Sequence, residues 1–224
     1  MLVVYSRAML VGCSGFPVPA TKYFREFEMV EVADTFLGVP GPALVRRWKR
    51  EASDGFVFTA VAPRDLTAEA FKPTAAGESA WEAFLPIARE LDARAIVVTS
   101  PPEVPPGKSA RLQARGLFER ILKKGLPPIV WEPPATWDLK DSEAAVKDLA
   151  VLVARDPTRH APFAKAKLAY YRLPGQAGHK SRYEDPPLEA AAKTVRETHI
   201  ENVFTVFANV DMYADSKRLR KMLE

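Results

Sequence analysis

Leu168-Ala169-Tyr170-Tyr171-Arg172 and Val203-Phe204-Thr205-Val206-Phe207-Ala208-Asn209-Val210-Asp211, the two strand-like runs between Lys167 and Asp211, each pass directly from apolar into polar residues. Runs of this length, rich in β-branched and aromatic side chains, predict buried strands. The first ends on Arg172, and the second opens onto Asn209 and Asp211. Glu31 stands inside a further apolar run, Met29 to Val32, and Glu132 closes Ile129-Val130-Trp131. Separate segments therefore each carry a charged or amide side chain within or just beyond a strand. A (β/α) barrel brings such positions together on its C-terminal face, where its catalytic groups sit.

Outward from these segments the same pattern repeats. Apolar runs fall at Met9 to Gly12, Met29 to Val32, Phe56 to Ala60, Ala95 to Val98, Ile129 to Glu132, Val151 to Val153, Leu168 to Arg172 and Val203 to Phe207. Helix-like segments lie between them at Pro42 to Ala52, Glu78 to Leu91, Ser109 to Lys124, Leu188 to His199 and Ala214 to Leu223. The first of these carries proline in its first turn, a common way to start a helix. Alternation of this kind predicts an α/β protein, a TIM-type (β/α) barrel of about eight parallel strands in a single domain spanning residues 1–224. The sixth strand, Val151 to Val153, reads equally well as the end of a helix that begins near Ser142.

Composition narrows the class. A chain of 224 residues with 47% hydrophobic content is long enough to bury a full core. Its sole cysteine, Cys13, forms no internal disulfide, and no Cys/His cluster has zinc-ligand spacing. Cys13 is expected to be packed. Met1 to Arg7 lacks a signal-peptide pattern and no segment is long enough to span a bilayer, so a cytoplasmic protein without a membrane partner is expected. The net charge of +4 is spread along the chain, which allows nucleic-acid binding without indicating it. Two Asn, two Gln and 20 Pro, several in Pro-Pro pairs, point to a thermophilic source.

Val11-Gly12-Cys13-Ser14-Gly15-Phe16, Val30-Glu31-Val32-Ala33-Asp34-Thr35-Phe36 and Phe56-Val57-Phe58 with Ala62-Pro63 resemble the YecE-like family, domain of unknown function 72. Ser100-Pro101-Pro102, Glu132 with Trp137, Tyr171-Arg172-Leu173 before Gly175, Tyr183, and Phe207-Ala208-Asn209-Val210-Asp211 followed by Ala214 and Leu219 continue the likeness in order. The resemblance implies a TIM-type β/α barrel whose biochemical activity is not established. The chain departs from the family pattern at Pro134, where an Arg follows the strand-five glutamate, at Pro174 in place of a His, and at Val210 in place of a second Asn.

The candidate site is built from these strand ends. Glu31, Glu132 and Asp156 are the candidate catalytic carboxylates, and Arg172, Tyr183, Asn209 and Asp211 the candidate substrate-binding residues. Glu31 in an apolar strand requires a partner, and Arg172 is the evident one. The pair is either the heart of a site or a buried network that closes the barrel mouth. Three carboxylates around one guanidinium would divide acid and base roles by raising one another's pKa. They could instead hold a hard cation through oxygen ligands. A metal is not favoured, since no histidine stands at a strand end. Asp156 reads equally as a helix cap. His160 and His199 read as surface residues, whereas His179 lies in the loop after the seventh strand and is suited to acid–base chemistry near neutral pH.

No Walker loop, GxGxxG turn or nucleophile elbow occurs. Gly12-Cys13-Ser14-Gly15 is either a tight turn or a set of backbone amides for an anion. Arg46-Arg47-Trp48-Lys49-Arg50 invites a nucleic-acid reading, but on a helix Val45, Trp48 and Ala52 share one face and the charges point elsewhere. The favoured function is therefore acid–base hydrolysis or isomerisation of a small polar or anionic ligand, sugar-like or phosphorylated. The alternative is a non-catalytic nucleic-acid-binding protein with a basic barrel rim.

Overall fold

The computed structural model describes residues 8–224, so the reading of Met1 to Arg7 falls outside the described residues. Parallel strands and helices alternate along it. The order is β1 (Ala8–Cys13), α1 (Ala20–Glu26), β2 (Met29–Val32), α2 (Asp34–Leu37), α3 (Pro42–Glu51), β3 (Val57–Val61), α4 (Ala75–Glu90), β4 (Ile96–Thr99) and α5 (Lys108–Ile121). It continues with β5 (Ile129–Glu132), α6 (Leu139–Ala145), β6 (Val151–Val153), β7 (Leu168–Leu173), α7 (Asp185–Glu197), β8 (Asn202–Phe207) and α8 (Met212–Leu223). The chain forms two compact units, one from the segment up to Glu31 together with Ala154–Glu224, the other from Val32–Val153.

In the first unit β8 lies between β1 and β7, parallel to both, with Cys13 and Leu173 each opposite Phe207. Isolated bridges Ser14↔Glu31 and Arg155↔Tyr171 extend this pairing. Gly12 is glycine for a steric reason: a Cβ there would lie 2.5 Å from the Met29 carbonyl oxygen. Every residue of β7 is buried, as expected for a parallel strand covered on both faces. Leu188, Ala191 and Ala192 of α7 and Leu219 of α8 pack with Val11, Leu173 and Phe207.

In the second unit β3, β4, β5 and β6 run parallel in sequence order, with Thr99 opposite Glu132 and Trp131 opposite Val153. Thr74 caps α4 by accepting from the Gly77 amide at 3.0 Å, and Asp138 caps α6 by accepting from Asp141 at 2.7 Å. Val151–Val153 is a strand and not a helical extension. Helix α6 stops at Ala145, and Asp148 adopts a left-handed φ of 66° that no helix continues through.

Helix α3 has the expected two faces. Val45 and Trp48 are buried, while Arg46, Arg47, Lys49 and Arg50 are exposed and Arg47 pairs with Glu51 one turn on. Neutralising Arg46, Arg47 and Arg50 together should move the unfolding free energy by no more than about 0.5 kcal/mol, as surface changes do. Trp48→Ala should cost about 3 kcal/mol through lost burial and a residual cavity. Urea unfolding of both variants checks the two values.

Candidate active site

All four residues of β2 are buried, and Glu31 among them is 0% exposed. A carboxylate in such a place is stable only with strong donors around it. Parallel pairing supplies them. Ser14 follows β1 and bridges to Glu31, and its hydroxyl donates to Oε1 at 2.6 Å. Tyr170 and Arg172 stand two apart on β7, so they project to the same face. The Tyr170 hydroxyl donates to Oε2 at 2.8 Å. The Arg172 guanidinium, 7% exposed, donates from Nη2 to Oε1 at 2.5 Å and from Nε to Oε2 at 3.1 Å. Each carboxylate oxygen thus accepts two hydrogen bonds, and the bidentate fork fixes the plane of the guanidinium.

A second network holds the loop after β7. Asn209 is 0% exposed, and its amide donates to Asp215 Oδ2 at 2.8 Å and to the Ser181 carbonyl at 2.9 Å. The Tyr183 amide donates to the same Asp215 oxygen at 3.0 Å, and Arg218 donates to Asp215 Oδ1 and to the Tyr183 carbonyl, both at 2.7 Å. The Tyr183 hydroxyl accepts from the Gly175 amide at 2.9 Å. Burial raises that phenol above its ordinary pKa, and the charges of Asp156 and Asp215 push the same way. On this loop His179 Nδ1 lies 2.6 Å from the Ala208 carbonyl.

The remaining candidates have simpler surroundings. Asp156 shapes its own turn, accepting from the Thr158 amide and hydroxyl at 2.9 and 2.7 Å and facing Arg159; no helix begins there, so it holds a turn and does not cap a helix. Glu132 closes β5 half-buried in the second unit, and its carbonyl accepts from the Ser100 amide and hydroxyl. Asp211 is exposed at the start of α8. The Ser14 and Gly15 amides are taken by the Phe207 and Glu31 carbonyls at 2.7 Å each, so Gly12 to Gly15 is a structural turn. Among the described residues no three His, Cys, Asp or Glu side chains are grouped to hold a metal ion, and no helix is long and apolar enough to cross a membrane.

Cys13 is fully buried, with its sulfur 3.4 Å from Ser216 Oγ and 3.5 Å from the Met212 carbonyl. Burial pushes the thiol up to about 11 from its ordinary 9.0. A raised folded-state pKa means that the folded chain retains a proton the unfolded chain loses. The associated stability is whole below pH 9.0 and is lost as pH rises toward about 11. Between these values the unfolding free energy should fall by about 1.4 kcal/mol per pH unit from this group. Cys13→Ala should remove that part of the slope in denaturant titrations across the same range.

The structure is similar to several solved ones. A DUF72 family protein from Enterococcus faecalis V583 is 19% identical with a TM-score of 0.70, the match covering 98% of each chain. A DUF72 family protein from Thermotoga maritima MSB8 is 16% identical with a TM-score of 0.74, over 96% of this chain and 99% of that one. A D-psicose 3-epimerase from Clostridium cellulolyticum H10, crystallised with D-tagatose, is 12% identical with a TM-score of 0.61 over 96% of each chain. No curated protein matches the chain. The fold class is the TIM-type (β/α) barrel. The chain belongs to the family described as "Protein of unknown function DUF72", whose model matches residues 20–224.

Proposed function

We propose that the Glu31–Arg172 cluster is the centre of an enzyme that isomerises or hydrolyses a small polar or anionic, sugar-like substrate by acid–base chemistry. The observation that carries this is a fully buried carboxylate clasped by a bidentate guanidinium at the C-terminal ends of β2 and β7. A buried ion pair adds little stability over well-packed apolar side chains, so its presence is better explained by a ligand than by the fold. The C-terminal ends of barrel strands are where such ligands bind. Arg172 would hold an anionic or hydroxyl group of the substrate, with Glu31 and Tyr170 fixing its direction. Asp156 is the proposed acid–base carboxylate beside this cluster, and Tyr183, Asn209 and Asp211 the polar wall. The D-psicose 3-epimerase neighbour supports a sugar-like substrate only as an analogy of fold.

A panel of ketoses, aldoses and their phosphates, followed by NMR for turnover and by thermal shift for binding, tests the reading. At least one compound should be converted, and Arg172→Gln should lower kcat/KM on it about 100-fold. Turnover unchanged in the variant, or no binding and no turnover across the panel, overturns it. Steeply salt-dependent DNA binding that disappears on replacing Arg46, Arg47 and Arg50 would put the nucleic-acid reading in its place.

A further inference from the structure

One member of the Glu31–Arg172 cluster is less enclosed than the rest. Glu31 and Tyr170 are fully buried and Arg172 is nearly so, while Ser14, just beyond β1, is half-buried. Glu31 has no acceptor position left: Oε1 takes hydrogen bonds from Ser14 and Arg172 Nη2, and Oε2 from Tyr170 and Arg172 Nε. The guanidinium and the carboxylate also cancel each other's charge. A ligand seated over these strand ends therefore meets Ser14 before it meets the ion pair.

The Ser14 hydroxyl has a defined capacity. It donates its proton to Glu31 Oε1 at 2.6 Å and accepts from Arg172 Nη2 at 3.3 Å, and no further donor reaches it among the described residues. A hydroxyl oxygen accepts two hydrogen bonds, so one position stays open. Donation to a carboxylate makes the same oxygen a stronger acceptor. Such an atom suits a donor and has nothing to offer an anion. We propose that Ser14 is the specificity-determining contact of the site, accepting a hydrogen bond from a hydroxyl of an uncharged, sugar-like ligand. This rests on the reading of the cluster as a ligand site and narrows the group bound at this contact to a neutral hydroxyl.

Ser14→Cys turns the position into a probe, because the parent's sole cysteine, Cys13, is fully buried with its thiol pushed up to about 11. A buried thiol reacts only through opening of the fold, so iodoacetamide at mildly alkaline pH should alkylate the variant at least about tenfold faster than the parent. At least one uncharged ketose or aldose should slow that reaction. The same sugar should bind Ser14→Ala about three- to tenfold more weakly, the worth of one neutral hydrogen bond, and Ser14→Thr, which keeps the hydroxyl, should restore the affinity. An introduced thiol no more reactive than Cys13, labelling that no sugar slows, or parent-like affinity in Ser14→Ala overturns the inference. Protection of the thiol without turnover of any compound would sink the enzymatic reading and keep the Ser14 contact, whereas turnover with an unprotected thiol would do the reverse. Should Ser14→Cys fail to fold, the Ser14→Ala and Ser14→Thr affinities decide alone.

Discussion

Arg172→Leu should destabilise the chain by about 3–5 kcal/mol, because it strands the Glu31 carboxylate at 0% exposure after removing two of its four donors. Tyr170 and Ser14 remain, but two neutral hydroxyls do not replace a charge-assisted fork. Arg172→Lys retains the charge and loses the fork, so it should recover part of the loss and not all of it. The double variant Glu31→Leu/Arg172→Leu should be less destabilised than the sum of the two single ones, since it leaves no unpaired charge. Chemical unfolding of the four proteins near pH 7 completes the cycle. Additive losses, or an Arg172→Leu variant as stable as the parent, would remove the ion pair from the core of the proposed site.

The ion pair was legible in the sequence and its full shell was not. Glu31 declared itself by standing in an apolar strand, and Arg172 by ending another. Tyr170 was within reach of the same reasoning: on β7 it shares the face of Arg172 by the two-residue period, so choosing one implies the other. Ser14 was not, because its place depends on the parallel pairing of a turn with Glu31 across 17 residues. The Asp215–Arg218 pair was hidden for a different reason. Charges three apart on a helix are the ordinary pattern of a solvated face, yet Asp215 is 1% exposed because Asn209 and the Tyr183 amide come to it.

The elements followed the same logic. Strands β2, β5 and β6 begin and end where the apolar runs do, and β5 is cut most sharply, by Pro128 before it and Pro133 after it. Helices α1 and α2, of seven and four residues, escaped notice because a segment so short shows no full amphipathic period and neither carries a side-chain cap. Helix α6 did leave a signal, Asp138 three residues ahead of Asp141, which is a capping pattern at its start.

Trp131→Ala is expected to cost about 5 kcal/mol, at the upper end for a buried aromatic truncation. Trp131 is 0% exposed and lies against the rings of Phe71, Phe118 and Trp137, at centroid distances of 6.1, 5.3 and 5.7 Å. Its Nε1 donates at 2.7 Å to Ser100 Oγ, which in turn donates at 2.8 Å to the carbonyl of Glu132. The truncation therefore opens a cavity and also frees the serine that anchors the backbone of Glu132 at the end of β5. Trp131→Phe separates the two effects: it keeps most of the volume and removes the N–H, so its stability loss should be about 1–2 kcal/mol. Ser100→Ala leaves the ring in place and breaks the same link, so it should cost a similar amount, roughly 1–2 kcal/mol. Chemical unfolding of both and of the double variant checks this: losses that simply add would show that the Trp131–Ser100 hydrogen bond contributes nothing of its own.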